Sequence, residues 1–448
     1  MKNSQEKKPV KRILGIEKSD RMKNLKRIGL GLLIVLGIAG VYYYPKYQML
    51  QEMMHLFDED RIVENFRSFN TKWPVSDLTK SAKAYKYAQG EQTDLPLSFE
   101  FEGGQYSSEE FIMDSRTTGL IVIQNDSIIF ENYYLGNTAE TRNISWSMAK
   151  SYISALMGIA VEEGHITSVM QTVDEYAPVL KGSGYEGVTI KDVLQMSTGV
   201  GFNEDYGDMT SDINRWGMGF ATGASQDKFA TTLEREVEPG TVNHYVSINT
   251  HVLGMVITAA TGRTITDYMQ EKLWTPMGME HDAYWLIDGS GMEMVLGGLN
   301  ATLRDFAKIG SLFLHKGNWN GSQIVPTDWV RVSTTPDAPH LMPGGDGYFG
   351  YGYQWWIPPG DEGEFMAMGV YNQNIYINPT TKTVIAKLSA NHNYNDNSFL
   401  PSRTDMAVEM YREILRSRET NKRYGYANHR LVQRLRHVLR IRWSPILL

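Results

Sequence analysis

Ser147 and Lys150 stand three residues apart in the run Ser147-Met148-Ala149-Lys150. On a helix that spacing puts a hydroxyl and an amine on one face, within hydrogen-bond reach. A lysine held away from water loses part of its affinity for a proton, so it can accept the one a serine must shed to become a nucleophile. A helix start adds backbone N–H groups and the positive end of the helix dipole. The pair therefore suits acyl transfer. Ser-x-x-Lys occurs three times, at Ser4/Lys7, Ser147/Lys150 and Ser225/Lys228. Ser4 lies in a basic N-terminal stretch, and Ser225 sits in a polar run with nothing apolar to desolvate its lysine. Only Ser147 opens an apolar helix, predicted over 147–161 with Ile153, Leu156, Met157 and Ala160 on one face.

Other chemistries lack their residues. There is no G-x-S-x-G elbow, no phosphate loop and no H-E-x-x-H. The chain has no cysteine, which removes disulfides, thiolate metal sites, iron–sulfur clusters and a cysteine nucleophile. Its ten histidines are scattered. His244 and His251, seven apart and without an obvious carboxylate partner, read as core or surface residues. No metal site and no cofactor is implied.

The elements that must hold Ser147 follow from hydrophobic pattern. Leu120-Ile121-Val122-Ile123, Asn125-Asp126 and Ile128-Ile129-Phe130 read as strand, turn and strand. Residues 165–300 read mostly as helix and loop, with a further helix at Thr302–His315. Tyr351–Trp356, Glu364–Met368, Ile375–Ile377 and Val384–Leu388 read as strands, and Asp405–Arg416 as a last helix. The expectation is an α+β domain over 96–411, with one antiparallel sheet built from both ends of the domain, flanked by helices and interrupted by a helical insertion. Residues 46–95 read as a polar connector.

Charge separates the ends from the body. The formal net charge is −7. Residues 1–27 carry ten Lys/Arg against three Asp/Glu, and 412–448 carry ten against two, leaving −22 for the middle. An acidic body does not suit nucleic-acid binding. Residues 28–45 open with 17 uncharged residues, flanked by Lys26, Arg27 and Lys46 and ending in three tyrosines. That pattern predicts a transmembrane signal anchor, with 1–27 a basic cytoplasmic tail and the remainder extracytoplasmic, periplasmic or at the cell surface. A cleaved signal peptide would need small residues at its end, where this run reads Tyr-Tyr-Tyr-Pro. In the tail, Leu431, Leu435, Val438 and Leu439 interleave with arginines. Residues 427–448 thus read either as a basic amphipathic helix on anionic lipid or as a solvated tail. Oligomeric state is not encoded in any pattern.

Several ordered segments resemble the serine hydrolases related to class C β-lactamases, and within them the 6-aminohexanoate-dimer hydrolase (nylon-oligomer hydrolase) and esterase branch. These are Ser145-Trp146-Ser147-Met148-Ala149-Lys150-Ser151, the run Val188–Gly199, Pro239-Gly240-Thr241 with Tyr245-Val246-Ser247, Pro276–Met279 and Ala301–Asp305. The resemblance spans about 115–415 and implies a β-lactamase/transpeptidase-like fold. It implies Ser147 as the acylated nucleophile, Lys150 as its base and Tyr245 in proton transfer to the leaving group. It implies a substrate-side role for Tyr206 and for Gln373, which would bond substrate or brace its strand. The oxyanion hole would combine the N–H of Ser147 with one from the strand around Gly369 and Val370.

One motif departs from the penicillin-recognising pattern. Where that pattern has Lys or His before Thr or Ser and Gly, this chain reads Ala367-Met368-Gly369. A charge-assisted contact of roughly 1.5–3 kcal/mol to a substrate carboxylate is then missing. The leading expectation is a hydrolase of a small amide or ester substrate. The alternatives are a D,D-peptidase or weak β-lactamase, and a non-catalytic binding protein of the same fold.

Overall fold

The computed structural model describes residues 11–345, 347–396 and 398–419. They form two compact units, one ending at Met54 and one beginning at His55. The first is a single helix, Lys11–Met54, which includes Pro45. Within it, Arg21–Met54 is long and apolar enough to cross a bilayer, and the side chains of Leu30, Leu33, Val35 and Leu36 are exposed. A signal sequence would satisfy the same criterion. The reading of 427–448 as a lipid-surface helix lies outside the described residues.

The second unit is organised by an eight-stranded sheet. Its order is Gly350–Tyr351, Trp356–Ile357, Phe365–Gly369, Gln373–Asn378, Thr383–Ser389, Thr117–Gln124, Ser127–Tyr133 and Ala88–Gln89. Strands from both ends of the domain meet where Val384 pairs with Ile123 and Ile385 with Val122. Neighbours are antiparallel except the last pair, where Ala88–Gln89 runs parallel to Ser127–Tyr133. Thr117–Gln124 and Thr383–Ser389 are buried along their whole length, which is why Leu120–Ile123 and Val384–Ala386 read as apolar runs. One face is covered by Ser108–Asp114 and by the helix 404–419, with Phe111, Leu120, Val122, Met366, Tyr376 and Tyr411 in a shared core. The other face carries Leu303–Leu314. Gly310 permits that contact, since a Cβ there would lie 2.7 Å from Val384 Cγ1.

The insertion between 133 and 350 is mainly helical, as expected. Its two long helices, Ala149–Glu162 and Ser247–Thr261, pack together. Every residue from Ala149 to Ala160 is buried, so this helix is enclosed on all sides rather than on one face.

Two expectations change. Residues 55–95 are not a connector. Leu56, Ile62, Phe66, Phe69 and Trp73 are buried, and Val75–Leu78 joins a second, four-stranded sheet by pairing with Ala283–Leu286. Tyr351–Trp356 is not one strand. Gly350–Tyr351 and Trp356–Ile357 pair with each other across a turn in which Gln354 has φ 61°. Its buried side chain ties that turn to Thr250 Oγ1 at 2.6 Å and to the Leu194 carbonyl at 2.9 Å.

Candidate active site

Ser147 lies in a short 3-10 turn, Trp146–Met148, that leads directly into the helix Ala149–Glu162. The preceding Trp146 has φ 45°, a backbone conformation that costs a bulky residue free energy. One turn on, Lys150 is 2 % exposed. Its Nζ lies 3.1 Å from Ser147 Oγ, 3.4 Å from Ser247 Oγ and 2.7 Å from the Leu296 carbonyl. Burial brings its pKa down to about 7, against an opposing pull from the Glu204 carboxylate. A substantial share of Lys150 is therefore unprotonated near neutrality, beside the serine hydroxyl.

Tyr245 reaches the same point from the chain before Ser247–Thr261. Its phenol is hydrogen-bonded to Ser147, and burial pushes its pKa well above the usual tyrosine value, with Tyr351 and Glu204 adding to the effect. The ring is stacked on Trp356, centroids 5.2 Å apart, and meets Tyr351 edge-on at 6.3 Å. It is thus a fixed, protonated phenol: a proton donor rather than a base.

The third wall is backbone. A Cβ on Gly369 would lie 2.7 Å from the Ser145 carbonyl oxygen and 3.1 Å from Ser147 N. Only glycine lets the end of the strand Phe365–Gly369 run this close to the serine turn. Gly369 and Val370 line a cleft of about 610 Å³ with Ser147, Tyr206 and Tyr245. Six of the seven expected site residues thus meet at one place.

Gln373 does not. It is buried, its amide donates to the Ser389 and Tyr371 carbonyls, and it accepts from Ser389 N at 3.1 Å. Its amide is fully used in bracing two strands, and it is absent from the cleft wall. His251 is a buried residue, as read, but it does have a carboxylate partner, Asp227, with 2.7 Å between Nε2 and Oδ1, while His244 Nε2 bonds the Phe202 carbonyl at 2.9 Å. Ser225 caps a short helix by accepting from Lys228 N, and Lys228 is exposed.

Glu204 is the site residue that sequence reasoning missed. Its carboxylate accepts from Tyr206 Oη at 2.9 Å, Ser247 Oγ at 2.5 Å and Ser247 N at 3.0 Å. Burial raises its pKa, while Lys150 and these donors oppose the rise. Ser247 links Glu204 to Lys150 in one hydrogen-bonded chain. The available signal was Ser247 two residues after Tyr245, and nothing local ties it to Glu204. Among the described residues no group of three His, Asp or Glu could hold a metal ion.

The family model described as Beta-lactamase matches residues 111–405. The chain belongs to the beta-lactamase family. The 6-aminohexanoate-dimer hydrolase of Paenarthrobacter ureafaciens is 29% identical over 298 residues, covering 63% of this chain and 74% of that protein. The solved structure described as "Putative 6-aminohexanoate-dimer hydrolase from Bacillus anthracis" superposes with a TM-score of 0.72 at 24% identity, covering 82% of this chain and 96% of that one. EstCE1, a hydrolase with promiscuous acyltransferase activity, superposes at 0.52 with 14% identity, over 63% of this chain and 91% of its own. The beta-lactamase/transpeptidase-like fold inferred from the sequence is the fold observed.

Proposed function

We propose that this member of the beta-lactamase family is a membrane-tethered, extracytoplasmic serine hydrolase that cleaves a small amide or ester through a Ser147 acyl-enzyme. The observation that carries this reading is the 3.1 Å approach of Lys150 to Ser147, with the lysine brought to a pKa of about 7 by burial. Lys150 takes the Ser147 proton as Oγ attacks the carbonyl carbon. The resulting oxyanion faces the N–H of Ser147 and one from Gly369–Val370, each such donor being worth roughly 3–4 kcal/mol in the transition state. Tyr245 gives its proton to the departing nitrogen or oxygen and regains one from Lys150. Water then enters by the reverse route and releases the acid.

The cleft wall bears on the substrate. It carries the carboxylates of Glu204, Asp205 and Asp405 and the rings of Tyr348, Phe349 and Trp356. Arg403, on the same wall, is engaged by Asp405 at 2.5 Å and by Glu102 at 2.8 Å. Among the described residues a substrate carboxylate would meet no unengaged cation on that wall, which favours a neutral or cationic amide or ester over a β-lactam. The name of the Paenarthrobacter relative points to amide cleavage as well. The tether rests on the apolar helix and on the basic residues before it.

Intact-mass analysis after treatment with a fluorophosphonate, and separately with a penicillin, tests the reading. A fluorophosphonate adduct lost in Ser147→Ala, with no penicillin adduct, is expected. Adducts with both would move the assignment to cell-wall chemistry. Turnover surviving in Ser147→Ala would end it.

A further inference from the structure

The family match begins at residue 111, yet aromatic residues well before it pack against the turn that carries Ser147. Phe66 meets Trp146 edge-on at 5.5 Å, Phe69 meets it at 5.9 Å and Phe57 lies 5.8 Å away. The same group holds Tyr371, with Phe57 stacked on it at 4.8 Å and Phe66 edge-on at 5.2 Å. Ile144 N donates to the Phe66 carbonyl at 3.1 Å, tying the backbone three residues before Ser147 to the same segment.

Trp146 and Tyr371 occupy special positions. Trp146 immediately precedes Ser147, and Tyr371 immediately follows Gly369-Val370. Both have left-handed backbones, at φ 45° and φ 64°, which L side chains rarely adopt. Such conformations persist only where surrounding packing over-determines them. They flank the two backbone donors assigned to the oxyanion, and the two rings lie 5.7 Å apart. Phe57 and Phe66 touch both.

We propose that the segment 55–73, which directly follows the apolar helix in sequence, is a positioning element for the oxyanion hole. Its aromatic side chains hold Trp146 and Tyr371 in their left-handed conformations and thereby fix the distance between the donors of Ser147 and Gly369–Val370. The inference rests on the assignment of Ser147 as nucleophile. Phe57, Phe66 and Phe69 touch no reacting atom and act through the backbone they support. A donor moved by less than 1 Å contributes much less to the transition state, while ground-state binding is little affected.

The test uses the full chain in mild detergent, with p-nitrophenyl acetate as substrate and phenylboronic acid as a probe. The boron takes the serine oxygen and presents a tetrahedral hydroxyl to the oxyanion hole. In Phe57→Ala and Phe66→Ala, kcat per folded molecule should fall about 10- to 100-fold with KM within about threefold. Boronate affinity should fall with kcat, and Phe57→Tyr, which keeps the stacked ring, should stay within about twofold of the parent. Folded fraction is taken from thermal melts. The proposal is overturned if both alanine variants keep kcat and boronate affinity within about twofold. It is equally overturned if their losses vanish once folded fraction is counted. Ser147→Ala runs alongside, since activity there would remove the nucleophile assignment itself, separately from the fate of the phenylalanines.

Discussion

Replacing Glu204 by glutamine should move the pH dependence of catalysis in a definite direction. Glu204 Oε1 lies 2.5 Å from Ser247 Oγ, which is 3.4 Å from Lys150 Nζ. The carboxylate is thus within roughly 6 Å of the ammonium, and at an effective dielectric constant of about 20 that attraction is worth about 3 kcal/mol, or about two pH units. In the parent, Lys150 sits at about 7 because desolvation outweighs this attraction. Without the anion only desolvation remains, so the ammonium becomes a stronger acid. The acid limb of kcat/KM, measured on a neutral ester between pH 4.5 and 9, should therefore fall from a midpoint near 7 to one nearer 5. That limb reports the base of the free enzyme. Because the groups are sheltered, adding about 0.5 M salt should hardly change the displacement. The plateau should drop by less than about tenfold, since glutamine offers Ser247 and Tyr206 one acceptor in place of two. A midpoint that stays put or rises would refute the electrostatic link and, with it, Lys150 as the titrating base.

Two further outcomes are expected. Gly369→Ala should lower kcat/KM by about 10²-fold or more and cost stability as well, because the new methyl must push the strand away from the backbone of Ser145 and Ser147; a variant within threefold of the parent in kcat/KM would contradict the tight backbone approach. Lys387→Met concerns stability alone. Lys387 is fully buried, with Nζ 2.6 Å from Ser389 Oγ, and burial lowers its pKa to about 7. Between that value and the unfolded lysine value, the unfolded chain binds more protons, so parent stability should rise from pH 7 to pH 9 by about 2–3 kcal/mol. Urea unfolding of the methionine variant in detergent should lack that component, and an identical pH slope in both proteins would refute the buried neutral lysine.

What could be read from the sequence was local or carried by an ordered set of motifs. Leu120–Ile123 and Val384–Leu388 were legible because strands covered on both faces are mostly apolar, with Lys387 the exception. Ser147 and Lys150 were legible because three residues on a helix settle their distance without knowledge of the rest. Tyr245 emerged from its place in the motif order, since one tyrosine among many has no signature of its own. Glu204 escaped because its role depends on a meeting with Ser247, 43 residues on. Residues 55–95 escaped for the same reason on a larger scale: Val75 pairs with Leu286, and a short polar strand whose partner is that distant has no periodicity to announce it. Gln373 shows where local pattern stops. The resemblance left it to bond substrate or to brace its strand, and its bonds to Ser389 and Tyr371 make it a brace.

The meeting of Thr383–Ser389 with Thr117–Gln124 also sets an order of events in time. The strand that carries Gly369 reaches Thr117–Gln124 through Gln373–Asn378 and Thr383–Ser389. A chain emerging from its N-terminus therefore contains Ser147 and Lys150 long before it contains the strand that closes the site around them. Pairing across some 260 residues makes closure a late and slow step, because a large loop must be ordered before the contacts that reward it can form. A nascent or truncated chain would carry Ser147, the proposed nucleophile, without Gly369 and Val370 beside it. On the proposed mechanism, competence to hydrolyse would arrive only with the final tenth or so of the described sequence, and an unfinished molecule would be chemically silent.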